Sequence, residues 1–242
     1  MVDPAGHHAD RVWAARHGVE TGAALRFGSL SRRMWEAAAP EALVEMAARA
    51  SRDEMRHASR CEDVLRMRQA SVPPPETRLL EYAPLELNPE QRLTYEVVAQ
   101  SCVSETESMA TLVTLLDAAH DETLKAIIHE LARDEVQHAR LGWGYLAWAR
   151  QRMDLEFLAP LLPGMVAGSA GAELFRPAPP GTDDPTLLHW GVVPHSDRQR
   201  LYLETLEAVI IPGMVEHGVG TGPLRLWVDR QRTALEPAAV GA

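Results

Sequence analysis

The sequence predicts an all-α fold: a four-helix bundle with a long crossover between its second and third helices, and additional C-terminal helices. Three observations predict it. Ala, Leu, Glu and Arg are plentiful while aromatics make up only 5% of the chain, which is helix-forming material. Apolar residues recur at helical spacing, with a period of about 3.6, through long stretches between Asp10 and Arg152. A proline-bearing connector around "VPPPE" divides those stretches into two pairs.

The first helix spans about Asp10 to Ala39, and "APEAL" ends it and opens the next, with Pro40 where a helix start tolerates proline. The second runs from about Glu41 to Ala70. A connector of about nineteen residues follows; extended, it reaches about 60 Å, enough to return along a helix of about 45 Å. The second and third helices are therefore expected to run parallel. The third begins at "NPEQ", with Asn88 as N-cap and Pro89 in the first turn. It ends near "AAHDET", where Asp121 can cap a fourth helix reaching about Arg152; His120 and His129 read as surface residues there. Beyond it, "GMVAGSAGAELF" reads as a closely packed helix through Gly164, Gly168 and Ala172. Residues 177 to 194 read as a loop, and "DRQRLYLETLEAVIIPGMVEH" as a further helix. The whole chain, 1–242, reads as a single domain: a bundle core over 10–152 and a helical extension over 153–242 that covers it.

The formal net charge of −10 disfavours nucleic acid or an anionic membrane as the main partner. The apolar run from Phe157 to Ala172 holds two prolines and is shorter than the ~20 residues a membrane span needs, so it reads as buried. No signal-peptide pattern opens the chain, and two cysteines, Cys61 and Cys102, suit a reducing cytoplasm, packed as small apolar residues.

The chemistry is concentrated in a repeat. "RDEMRHA" (Arg52 to Ala58) returns as "RDEVQHA" (Arg133 to Ala139), each inside an apolar stripe. Glu54 and His57, and likewise Glu135 and His138, lie three apart on the inward face. Glu105 is the one acid on the stripe of the third helix, and Glu20 takes the same place on the first. Glu107 lies off the stripe and reads as solvated. Glu20 is about nineteen residues before the first turn and Glu54 about fourteen after it; Glu105 and Glu135 flank the second turn at about fifteen and fourteen. All four carboxylates should meet at one level. Buried acids without partners are costly, and metal ions remove that cost, since four carboxylates and two dications sum to zero.

This pattern resembles the ferritin-like diiron carboxylate superfamily, whose bundles carry Glu, Glu-x-x-His, Glu, Glu-x-x-His on successive helices. The resemblance covers about Asp10 to Arg152. It implies Glu20 and His57 as terminal ligands of one metal, Glu105 and His138 of the other, and Glu54 and Glu135 as bridges. Two iron ions are implied, with manganese or a mixed manganese–iron pair as options. Asp53 and Asp134 resemble the Asp that orients a ligand His, or else pair with Arg56 and Arg133. His17 is a packed histidine, a hydrogen-bond donor behind the ligands, or an extra ligand. Gly18, Gly22, Gly142 and Gly144 read as close packing, local unwinding or room for a ligand.

The implied function is a diiron oxygenase or oxidase that activates O2 to oxidise a small organic substrate, with electrons from a reductase. The long extension, able to roof a pocket, and the lack of a dense acidic run favour it over a ferroxidase or iron store, a manganese catalase, or a non-enzymatic helical binding protein. "DEMRH" is similar to the Asp-Glu-x-Arg-His form of multicomponent monooxygenases, from which "DEVQH" departs. Leu131 stands where an arylamine N-oxygenase would carry a third His. A homodimer stays open as an assembly.

Overall fold

The computed structural model describes residues 3–116, 118–119, 121–169 and 174–235; His120 and Ala172 lie outside them. Helix α1, Pro4–Glu36, starts about six residues earlier than the periodicity implies. The cause is a cap: the Asp3 carboxylate accepts the Gly6 N–H at 3.0 Å, and Pro4 occupies the first turn. A short turn with Ala38 at φ 53° leads into α2, Glu41–Met67.

The connector from Arg68 to Asn88 carries no regular helix and runs back along the bundle. Two contacts fix it. Thr21 Oγ1 accepts the Glu76 N–H at 2.9 Å, and the Glu96 carboxylate accepts the N–H groups of Tyr82 and Ala83. The third rod is α3, Pro89–Val97, then a π-helical stretch, Val98–Ser104, then α4, Glu105–Leu116. A capping box between Asn88 and Gln91 starts it. The fourth rod is α5, Glu122–Ala149, capped by the Asp121 carboxylate on the Leu124 N–H at 2.9 Å. Helix α1 packs on α2, α4 on α5, and α2 on α5. The described residues are helical or irregular, with no strand among them.

After the bundle come a 3₁₀ turn at Glu156–Leu158, α6 at Leu162–Ser169, and a second 3₁₀ turn at Pro185–Trp190 inside the expected loop. The Trp190 carbonyl accepts the Trp13 indole N–H at 2.8 Å, which ties this loop to α1. The single helix expected near the C-terminus is three pieces: α7, His195–Thr205, a π stretch, Leu206–Ile210, and α8, Ile211–Glu216. Pro212 lacks the N–H that would continue the regular ladder, a local reason for the change of register just before it. A last helix, α9, Gly222–Leu235, adds to the elements that the periodicity predicts. These elements lie against the third rod, α7 on α4 and α6 on the π stretch. Among the described residues no helix is long and apolar enough to cross a membrane.

The apolar core is in two parts. One holds Phe27, Leu30, Met34, Ala47, Val98, Leu141 and Tyr145. The other holds Trp13, Cys61, Leu65, Leu112, Ile128 and Leu131. Between them, at mid-height of the rods, lies a belt of buried acids and histidines.

Candidate metal centre

Glu20 comes from α1, Glu54 and His57 from α2, Glu105 from the start of α4, and Glu135 and His138 from α5. None is more than 4% exposed. Their ligand-capable atoms form two overlapping groups, Glu20, Glu54, His57 and Glu135, and Glu54, Glu105, Glu135 and His138, each with all atoms within 4.8 Å of one another. Glu54 and Glu135 belong to both.

The histidines turn their two nitrogens to different tasks. His57 Nδ1 lies 3.1 Å from Glu54 Oε2, and its Nε2 lies 3.4 Å from Asp134 Oδ2. His138 mirrors this, with Nδ1 3.0 Å from Glu135 Oε2 and Nε2 3.4 Å from Asp53 Oδ2. Each aspartate thus faces the histidine of the other helix. Arg56 joins them, donating to Asp53 Oδ1 at 2.9 Å and Asp134 Oδ2 at 2.6 Å, and Arg133 pairs with Asp134 at 2.9 Å. Asp53 and Asp134 thus each lie between a histidine and an arginine. His17 stands outside both groups. It is buried, with Nε2 3.4 Å from Glu62 Oε1, because it sits one turn earlier on α1 and meets a later turn of α2.

Three further side chains complete the cluster, and the inward stripes do not single them out. Arg16 Nε donates to Glu20 Oε1 at 2.9 Å, and its Nη2 donates to Ser108 Oγ at 2.7 Å. Ser108 donates in turn to Glu135 Oε1 at 2.9 Å. Gln100 donates its amide N–H to Glu105 Oε1. Arg16 is four residues before Glu20, a pairing readable from helix spacing. Gln100 is five residues before Glu105, and only the wide π turn brings the two together. That turn presses on α5 at Gly142, where an added Cβ would lie 2.6 Å from Cys102 Sγ and 2.8 Å from its backbone N. Gly142 is a close-packing glycine; Gly18, with nothing within 4 Å of an added Cβ, is not. Glu107 is not solvated as expected, since Arg198 of α7 covers it with an ion pair at 3.0 Å. Cys61 and Cys102 are buried, unbridged thiols, and burial pushes both pKa values up.

Protons can balance the belt's charge. Burial, then the nearby Glu54 carboxylate, pushes Glu20 up to about 8 despite Arg16. Burial and the charges of Glu135 and Glu54 raise Glu105 well above the carboxylate range. Burial opposes charge on Glu54 as well, but the adjacent His138 and His57 rings outweigh it and lower its pKa. For His57 burial is likewise outweighed, here by Glu54 and then Glu135, and its pKa rises to about 9; His138 is raised further.

The donor set fits two divalent cations. Both Nδ1 atoms point into the carboxylates while both Nε2 atoms are engaged from behind. His138 Nδ1 lies 3.0 Å from both Glu135 Oε2 and Glu54 Oε1, yet one ring hydrogen serves Glu135, and Glu54 Oε1 is left buried without a donor. A cation would complete that atom's coordination. A cavity of about 300 Å³ lies against Glu20 and Glu105, and a second of about 770 Å³ shares Val19, Arg26, Ser104 and Ser169 with it.

A solved structure, protein 19 from Synechococcus with aldehyde deformylating oxidase activity, superposes at a TM-score of 0.60 and 13% sequence identity. The match covers 95% of this chain and 98% of that one. The chain has a ferritin-like helical-bundle fold. No family model and no curated protein sequence matches it.

Proposed function

We propose that this chain is a non-haem dinuclear metal enzyme, a diiron oxidase or oxygenase that uses O2 to oxidise a small organic substrate. The observation that carries the reading is the overlap of the two groups of four: Glu54 and Glu135 belong to both and would each be shared between two ions. Glu20 and His57 would complete one ion's ligands, and Glu105 and His138 the other's. A carboxylate-rich set with one imidazole per ion suits iron or manganese better than zinc or copper. Two ferrous ions held there would supply electrons to O2, with an external reductase restoring them.

The protein's own groups have separable parts in this scheme. Arg16, Ser108 and Gln100 hold Glu20, Glu135 and Glu105 in place through one hydrogen bond each. Asp53, Asp134 and Arg56 close the histidine side, so O2 and substrate approach from the side of Glu20 and Glu105, where the cavity lies. Val12, Val192 and Val193 form an apolar part of its wall. The Synechococcus neighbour's oxidase activity supports oxidation of an organic molecule over iron storage.

Aerobic addition of excess ferrous iron tests the reading. Uptake should stop at about two irons per chain, and O2 consumption should then depend on an added electron donor. Loading of hundreds of irons per assembly would reject it in favour of a store.

A further inference from the structure

We propose that the cavity beside the carboxylate belt takes an organic substrate bearing a carboxylate group on an apolar body, with the Arg26 guanidinium as its anchor. This names the substrate class of the oxidation site proposed above and rests on that reading.

Arg26 extends from α1 into the junction of the two cavities and borders both. Its Nε donates to Gln100 Oε1 and one Nη1 hydrogen to the Tyr82 hydroxyl at 3.0 Å; its guanidinium carbon lies 5.2 Å from the centre of the Tyr82 ring. A guanidinium has about five N–H groups, so Nη2 and the second Nη1 hydrogen are left for another acceptor. Among the described residues no carboxylate is in ion-pair range of Arg26, whereas the other arginines of the smaller cavity are matched, Arg16 to Glu20 and Arg198 to Glu107. Gln100 stands between Arg26 and Glu105, giving its carbonyl to the first and its amide N–H to the second. The belt therefore does not neutralise Arg26 directly. Arg26 is half-buried, and a planar carboxylate is the group its remaining N–H fork matches best.

The larger cavity supplies the place for an apolar body. Val19, Leu80, Tyr95 and Met165 line it, and its one lining acid, Glu76, turns its carboxylate to the N–H groups of Thr77 and Arg78. Glycines keep it open: a Cβ at Gly18, Gly164 or Gly168 would meet nothing within 4 Å, and one at Gly22 would stand 3.1 Å from Arg26 Nη1. Helix-interior glycines each cost about 1 kcal/mol, so a void walled by them on both α1 and α6 is maintained against local preference. Its volume lies in the range of about 300 to 1,000 Å³ usual for small-molecule sites.

Calorimetric titration of the purified protein with octanoate and with octanamide tests this. The two probes share a chain and differ in charge. Octanoate should bind at least about tenfold more tightly than octanamide, and Arg26→Met should bring the two to equal affinity at unchanged metal content, which separates anchoring from coordination by a metal. Arg26→Lys should keep part of the preference, and it decides the matter should Arg26→Met fail to fold. Gly18→Leu, which leaves Arg26 in place, should weaken both probes. Equal affinities in the wild type, binding of neither probe, or a preference retained in full without Arg26 would overturn the proposal. Metal content and O2 uptake are read in parallel. A protein with two ions and no carboxylate preference loses the substrate class but keeps the oxidase reading. One with Arg26-dependent octanoate binding and no bound metal keeps the class and loses the oxidase reading.

Discussion

At His57 one ring nitrogen meets the carboxylates and the other meets Asp134, a pair of contacts that holds the ring's orientation. Asp134→Asn should therefore weaken metal binding by about 10- to 100-fold while the helix content stays the same, measured by competition with a chromophoric chelator. Unchanged affinity would show that the 3.4 Å contact has no orienting role. The protons on the belt give a second expectation. In the metal-free protein Glu20 is raised from 4.5 to about 8, so the folded state holds a proton there that the unfolded chain releases earlier. His57 is raised from 6.5 to about 9; its contribution is full below pH 6.5 and is lost as pH climbs through 9. Both signs agree: stability of the chelator-treated protein should fall from about pH 5 to about pH 9. Glu54, with its pKa lowered, acts oppositely only on acidification. Cations displace the same protons, so metal affinity should rise over that window. A melting temperature that climbs between about pH 5 and 9 without metal would contradict this.

The π-helical stretch Val98–Ser104 is the element on which the third rod's contribution depends, because it places Gln100 beside Glu105 and pushes Cys102 against Gly142. Gly142→Ala should cost about 1 to 3 kcal/mol from overpacking against the Cys102 backbone. Gly18→Ala, facing open space, should be neutral or stabilising by up to about 1 kcal/mol. Urea unfolding midpoints separate the two, and equal tolerance would mean the π turn yields easily. The helices themselves were legible, since stripes such as Leu124, Ile128, Leu131, Glu135 and His138 are one buried face and the caps at Asn88 and Asp121 form as their side chains dictate. The π turns were not. One wide turn shifts register without altering the apolar period enough to be seen, at 98–104 and again at 206–210. Helix α9 was hidden for another reason: it follows the glycine-rich "GVGTG", and of its residues only Leu224 and Val228 are buried, too few to mark a stripe.

Across the whole molecule, a belt of acids and histidines interrupts an otherwise apolar interior, with a hydrophobic cluster on either side. The convergence of Glu20, Glu54, His57, Glu105, Glu135 and His138 could be read from a repeat and from equal distances to the turns, because straight rods turn sequence separation into height. The cavities could not. Their walls come from α1, the crossover, the π stretch and α6, and no local spacing records which of these will meet. Nor did net charge disclose Arg16, a cation paired with the buried Glu20, or Arg26, held by Gln100 at the edge of the cavities. The measurement that tests the account most directly is elemental analysis of iron and manganese in the purified wild type and in Glu54→Ala, since Glu54 belongs to both groups of four. About two ions per chain in the wild type and almost none in a folded Glu54→Ala protein are predicted. Two ions retained without Glu54, or none in the wild type after anaerobic reconstitution with ferrous iron, would contradict the claim that these six side chains hold a metal pair.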